Sequence, residues 1–157
     1  MEKLQFKYES ISRWIENADL KAQILIGIQL FIIGFVLEKQ LPFDPCHRLS
    51  LFFLGLFLIL SCVSLSYLYR IIKPRLSNKI HGSRIYFRDI AKSSKVNYKE
   101  TKESIVSEKE GDFISDLADQ VIALSRVCNS KYEDLKSAEG YMIASFLSGL
   151  ILYLLNI

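Results

Sequence analysis

Three long stretches without a charged residue constrain this chain more than any other feature of its sequence. They run from Ala22 to Leu37, from Leu49 to Tyr69 and from Tyr141 to Ile157, and hold 16, 21 and 17 residues. A helix needs about 20 apolar residues to cross the roughly 30 Å hydrocarbon core of a bilayer. The second stretch has that length, and the first gains it when extended back through Ala18 and Leu20. We expect the third to end with its carboxylate at the far interface.

Two other readings of the apolar stretches fit less well. A buried helix of a soluble protein has a polar face at a 3.6-residue period, whereas residues 49–69 carry only scattered small hydroxyls. A cleaved signal peptide would have a basic start and a small-residue cleavage site. Here four acidic residues precede the first stretch, and no such site follows it; the acids are Glu2, Glu9, Glu16 and Asp19.

The sequence therefore predicts an all-α membrane protein with three transmembrane helices and a helical cytosolic segment between the second and third. We expect four parts: a cytosolic N-terminal helix over 1–21, a transmembrane hairpin over 22–72 with spans at about 20–37 and 49–70, a cytosolic helical region over 73–140, and a third transmembrane helix over 141–157.

The distribution of lysine and arginine predicts the orientation, because cytoplasmic loops carry an excess of these residues. Four precede the first span, only Lys39 and Arg48 lie in the loop after it, and eight lie between Arg70 and Lys95. We therefore place the N-terminus in the cytosol, the hairpin loop outside, residues 73–140 in the cytosol, and the C-terminus outside.

The long segment before the third span divides into several predicted elements. Residues 84–91, RIYFRDIA, are typical of a short helix, and the polar residues 92–109 predict a loop at their start. Asp112 is a possible N-cap. Apolar residues then recur every three or four positions, which indicates one helix: Ile114, Leu117, Val121, Leu124, Cys128, Tyr132 and Leu135. We expect this helix to continue into the third span, with a weak point at Gly140.

Charge divides the same segment into two halves. Residues 70–95 hold eight cations and one acid, and residues 96–140 hold six cations and ten acids. Anionic lipid would retain the basic half at the membrane surface, at about 1 kcal/mol for each cation. A phosphate-binding site that includes Arg84, Arg88 and Lys79 is the alternative. The sequence leaves both readings open.

The sequence contains none of the common catalytic motifs. The sequence has no Gly-rich phosphate loop, HExxH, CxxC or G-x-S-x-G motif, so we predict no enzyme, no cofactor and no metal site. The basic stretch is too short and too close to the membrane to predict nucleic-acid binding. Within the spans, Gln29 should seek a partner on another helix, and the Ser145/Gly149 pair would permit close helix approach and is weak support for a homo-oligomer.

Several short motifs resemble one known family. The segment from Trp14 to Gly27, WIENADLKAQILIG, is similar to the entry to the first span in the Pycsar transmembrane effector family, the PycTM-like proteins. RIYFRDIA resembles that family's element after the second span, although Arg88 stands where a small residue is commoner. Gln120 with Lys131–Tyr132 resembles its Q…KY pattern. The order of spans agrees, so the resemblance covers nearly the whole chain.

The resemblance implies a function that composition alone does not. Members of this family are effectors of bacterial anti-phage systems. A partner cyclase makes a cyclic pyrimidine mononucleotide, cCMP or cUMP, and the effector then impairs the inner membrane and aborts the infection. Two alternatives remain: a scaffold that recruits a protein partner, and a small oligomeric channel without a nucleotide ligand.

If the chain is such an effector, we expect particular residues to bind the nucleotide or to couple it to the spans. Arg84 or Arg88 would neutralise the phosphate, and Tyr86 or Phe87 would stack on the base, with Asp89 beside them. The alternative for the two aromatic residues is burial against the long helix or the membrane interface. A second group would lie at the membrane interface or couple the ligand to the spans: Asp19, Lys21, Gln29, Gln120, Lys131 and Tyr132. The alternative for Asp19 and Lys21 is that they are simply charged residues at the membrane interface.

Overall fold

A computed structural model describes residues 2–40, 48–73, 94–107 and 110–155, and this part of the chain is helical, without a strand. We label four of its helices α1 to α4 in chain order: Glu2–Gln40, Arg48–Ile72, Tyr98–Val106 and Glu110–Leu155. Three of them, α1, α2 and α4, are long and apolar enough to cross a membrane. The structure thus confirms the all-α class and the three candidate spans.

Helices α1 and α4 are much longer than a membrane span requires. Helix α1 has 39 residues and α4 has 46, which at about 1.5 Å per residue gives lengths of about 58 and 69 Å. The predicted N-terminal helix and first span therefore form one uninterrupted helix. The predicted continuity through Gly140 is also confirmed, since α4 is helical on both sides of it.

The chain divides into two compact units, which we describe separately. The first, here called the spanning unit, comprises Glu16–Pro74 and Ser130–Ile157. Its hydrophobic core is a cluster of buried side chains from all three long helices: Ala22, Leu68, Ile71, Leu135 and Ala138. Many large apolar side chains on the outside of these helices stay exposed, for example Phe31 at 75% and Ile59 at 64%. Such an outer surface suits contact with lipid.

The second unit comprises Met1–Ile15 and Arg75–Asn129. In its part of α4, Leu117 is buried and Val121 and Leu124 are half-buried, as the predicted apolar stripe requires. Ile114 departs from that stripe because it is 37% exposed. Asp112 is not the N-cap, because α4 begins two residues earlier and places it in the first turn.

The loop predicted at the start of residues 92–109, around KSSKVNYKE, is not observed in its described part. Residues 94–96 are helical, and helix α3 begins at Tyr98. Its N-cap is Asn97, whose side-chain oxygen accepts a hydrogen bond from the backbone N–H of Glu100 at 3.3 Å. The Asn97 amide in turn donates to the Glu100 carboxylate at 2.9 Å. This reciprocal pairing satisfies groups at the helix start. Local capping therefore makes a helix from a sequence whose polarity had indicated a loop.

Candidate functional site

A buried amide joins the three spans in the middle of the spanning unit. Gln29 of α1 is fully buried. Its Nε2 donates hydrogen bonds to the Ser61 hydroxyl of α2 at 2.8 Å and to the Ser145 hydroxyl of α4 at 3.2 Å. Apolar surroundings provide no competing water, so a glutamine there finds its partners on neighbouring helices. The predicted partners of Gln29 on another helix therefore lie within the same chain.

Two further serines tie the helices together through backbone groups. The Ser64 hydroxyl of α2 donates to the Ala138 carbonyl of α4 at 3.0 Å. The Ser148 hydroxyl of α4 donates to the Phe53 carbonyl of α2 at 3.1 Å. We call these groups, together with Gln29, Ser61 and Ser145, the polar layer. Each small side chain lets the backbones approach closely and supplies an interhelical hydrogen bond.

The Ser145/Gly149 pair takes part in this packing inside the chain. Ser145 is 1% exposed, and a Cβ atom at Gly149 would lie 3.3 Å from the Phe57 ring. The absence of a side chain at Gly149 therefore lets Phe57 pack against α4. Close approach was predicted correctly, but its partner is α2 of the same chain, so the pair gives no support for self-association.

The polar layer contains one unsatisfied acceptor. Among the described residues, Gln29 Oε1 is a buried atom without a hydrogen-bond partner. Leaving such an acceptor unpaired typically costs about 1–3 kcal/mol. The layer is therefore a specific but incompletely satisfied set of contacts.

An ion pair connects α1 to α4 beyond the hydrophobic cluster. The Lys131 ammonium donates a hydrogen bond to Asp19 Oδ1, and the two side chains are 5% and 32% exposed. A buried lysine keeps its charge only when a partner compensates it. Asp19 thus fixes the position of Lys131, and α1 and α4 are held at this level by charge as well as by packing.

A second charged contact lies close to this ion pair in sequence. The Arg70 guanidinium of α2 is 3.9 Å from the Asp134 carboxylate of α4, with side-chain exposures of 58% and 11%. The guanidinium carbon also lies 5.5 Å from the centre of the Tyr67 ring, and Tyr67 stacks on Tyr141 with ring centres 5.6 Å apart. We call these residues, with Asp19 and Lys131, the charged layer.

The remaining predicted site residues fall in different places. Tyr132 is half-buried and packs against the hydrophobic cluster. Lys21 is exposed, and Gln120 is buried in the second unit. The five predicted ligand-binding residues, Arg84, Tyr86, Phe87, Arg88 and Asp89, lie outside the described residues.

Sequence reasoning missed several members of both layers. Arg70 was counted only as part of the basic half, and Asp134 only among the ten acids of residues 96–140. The informative signal was spacing, because Asp134 follows Lys131 by three residues and lies on the same helix face. Ser61 and Ser64 were counted only among the scattered small hydroxyls of residues 49–69. Within the described ranges, no group of three or more potential ligands could hold a metal.

Comparison with known proteins agrees with this architecture. The sequence profile of the family described as "Pycsar effector protein domain" (PycTM) matches residues 3–157. The chain is also similar to the Pycsar effector protein GmPycTM of Gulbenkiania mobilis, with 27% identity over 93% of this chain and 90% of that protein. No solved structure matches. Since the profile covers almost every residue, including all three candidate spans, this chain belongs to the Pycsar effector protein family.

Proposed function

We propose that this protein is a membrane effector of a bacterial anti-phage system, activated by cCMP or cUMP from a partner cyclase to impair the inner membrane and abort infection. The observation that carries the proposal is the family match over residues 3–157 in a chain with three helices able to span a membrane. The family implies a membrane effector in anti-phage defence and a cyclic nucleotide signal. The identity of that signal and the mode of membrane damage are proposed for this chain.

The polar and charged layers support a resting state that can rearrange. Buried hydrogen bonds and ion pairs favour one arrangement of helices over others, although they add little net stability over apolar packing. A ligand shifts such an equilibrium only by its difference in affinity for the two arrangements. In this proposal, nucleotide binding favours an arrangement in which α1, α2 and α4 no longer close the polar layer, so that polar groups become available inside the bilayer.

The ligand site is proposed in the basic half of the sequence. Arg84 and Arg88 would neutralise the cyclic phosphate, with Tyr86 or Phe87 stacked on the pyrimidine and Asp89 beside them. Base stacking on aromatic side chains contributes about 1–3 kcal/mol per base in nucleic-acid sites. The N-terminus and this site would lie in the cytosol, and the C-terminus outside the inner membrane.

Helix α4 provides the proposed route between ligand and membrane. It is a single helix from Glu110 to Leu155 and contributes residues to both compact units. Lys131 lies on it and pairs with Asp19, so a rotation or shift of α4 would strain that ion pair. We propose that the active form is a homo-oligomer, since damage through three helices of one chain alone would leave little room for an aqueous passage.

Dye uptake tests the proposal. Bacteria that produce the full chain are exposed to a membrane-impermeant dye with and without a co-expressed pyrimidine cyclase, and binding of cCMP and cUMP to the purified protein in detergent is measured in parallel. We expect uptake only when the cyclase is active. If neither nucleotide binds and uptake does not depend on the cyclase, the effector mechanism is wrong and a constitutive channel or scaffold is favoured.

A pair of matched variants tests the ligand site. Arg84→Ala removes a cation from RIYFRDIA, whereas Arg75→Ala removes the same charge from the basic half outside that motif. A nucleotide site predicts that only the first variant loses ligand affinity and dye uptake. Retention by anionic lipid predicts equal, small losses in the attachment of the basic half to anionic lipid from both variants and no change in nucleotide affinity.

A further inference from the structure

An apolar groove opens on the outside of the spanning unit, between α1 and α4. It has a volume of about 440 Å³, and its walls include Phe31, Phe35 and Lys39 of α1 and Phe146, Leu150 and Tyr153 of α4. All of these lining residues belong to one compact unit. Gly149 lies in the wall of the groove.

We propose that this groove is a binding site for one phospholipid, with an acyl chain between α1 and α4 and the phosphate beside Lys39. In a bilayer, an apolar concavity on the surface of a span adjoins lipid chains rather than water. The inference concerns this groove alone and does not depend on the response to nucleotide.

The length of the groove favours a lipid over a helix from a second copy. From Phe31 to Lys39 the helix rises eight residues, or about 12 Å. That matches roughly one leaflet of a hydrocarbon core about 30 Å thick. An acyl chain spans one leaflet, whereas a second transmembrane helix would bury contacts along the whole core.

The groove is apolar along most of its length and charged at one end, as a phospholipid is. Its lining is apolar except for Lys39, which lies one residue before the end of α1 and is exposed. A lysine near a helix end lays its alkyl stem along apolar surface and extends its ammonium to the interface. Tyr153, 49% exposed at the same end, is a residue type enriched at membrane interfaces. An ammonium at this level is complementary to a lipid phosphate.

Photo-labelling with lipid tests the site on the full chain. The protein is reconstituted in vesicles of phosphatidylcholine and phosphatidylglycerol, one of which carries a diazirine on its acyl chain, and labelled peptides are identified by mass spectrometry. We expect labelling of residues 31–39 and 146–153 to exceed that of residues 49–59, which include Phe52 and Ile59 at 63% and 64% exposure. Equal labelling of all lipid-facing segments would overturn the proposal.

A filling variant separates the groove from general lipid contact. Leu150→Trp places a large side chain in the groove, and Leu147→Trp is its control, because Leu147 is 52% exposed on the same helix and does not line the groove. Labelling of the groove should fall to the level of residues 49–59 in the first variant only. Circular dichroism verifies that both remain folded. No difference between the two variants contradicts the site.

The lysine is tested separately. Lys39→Gln should lower the preference for phosphatidylglycerol over phosphatidylcholine at the groove about fivefold. The control is Lys73→Gln, which should leave this preference unchanged; Lys73 is exposed and directly follows α2. A preference that survives Lys39→Gln refutes the phosphate contact. If the groove is protected from lipid and Leu150→Cys forms a disulfide between chains in vesicles, a second copy occupies it and the lipid proposal is wrong.

Discussion

Loss of either partner of the Asp19–Lys131 ion pair should have unequal effects on stability. In Asp19→Asn, the Lys131 ammonium remains at 5% exposure without its anion. Removing one partner of a buried pair costs about 3–5 kcal/mol, and we expect about 3 because a neutral amide still accepts a hydrogen bond. In Lys131→Met, the carboxylate left behind is 32% exposed, so water solvates it and the cost falls to about 1 kcal/mol.

The double variant Asp19→Asn/Lys131→Met completes a thermodynamic cycle. A neutral pair of similar size in a buried position is often as stable as the ion pair it replaces. We therefore expect the free energy of unfolding of the double variant to lie within about 1 kcal/mol of the wild-type value. The summed single effects are about 4 kcal/mol, which leaves a coupling of about 3–5 kcal/mol between the two residues. The free energy of unfolding is measured by SDS titration of the protein in mixed micelles, followed by near-ultraviolet circular dichroism.

The control is a charged pair of the same chain that water can reach. Arg13 and Glu9 are 3.9 Å apart on α1, with side-chain exposures of 77% and 64%. Glu9→Gln should cost less than about 0.5 kcal/mol, as is usual for exposed pairs on a helix. Equal costs for Asp19→Asn and Lys131→Met, or a double variant as unstable as their sum, would refute the reasoning from burial.

Three further predictions concern packing and capping. Gln29→Leu should change the free energy of unfolding by less than about 1 kcal/mol, because the two lost hydrogen bonds contribute about 0.6 kcal/mol each and the unsatisfied oxygen disappears with them; SDS titration measures this, and a larger loss would contradict it. Gly149→Leu should cost about 1–3 kcal/mol by overpacking, whereas Gly27→Leu, where a Cβ would meet nothing within 4 Å, should not destabilise in the same assay. Asn97→Ala should remove the cap of α3, worth about 1 kcal/mol, and speed amide hydrogen exchange only in Tyr98–Val106; unchanged exchange there would show that the cap does not hold this helix.

The charged layer has a consequence for the proposed mechanism. Its charged side chains come from all three long helices: Asp19 from α1, Arg70 from α2, and Lys131 and Asp134 from α4. A rearrangement of any one helix must break or replace one of these contacts. Variants that weaken the layer without unfolding the spanning unit, such as the Asp19→Asn/Lys131→Met pair, should therefore lower the amount of cyclase activity needed for dye uptake.

The sequence alone determined the class of this protein and the number of its candidate spans. Three uncharged stretches of near-membrane length permit only helices that satisfy their own backbone hydrogen bonds, and the described residues of all three stretches lie in the three long helices of the structure. Continuity of α4 was predictable for the same local reason, since its apolar period runs on without a proline. Short motifs also indicated the family, because such motifs are defined by the order of residues in the sequence and need no structure to be identified.

Tertiary structure decided which polar residues meet. Gln29 lies 32 residues from Ser61 and 116 from Ser145, and no local pattern encodes such pairings. The burial of Lys131 and the choice of Asp19, rather than Lys21, as the inward-facing residue depend on the rotation of α1 and α4 about their axes. That rotation is set by side-chain packing over the whole length of the helices, as at Gly149 against Phe57. A chain's composition fixes how many helices enter the membrane, but only their packing determines which polar groups face each other there.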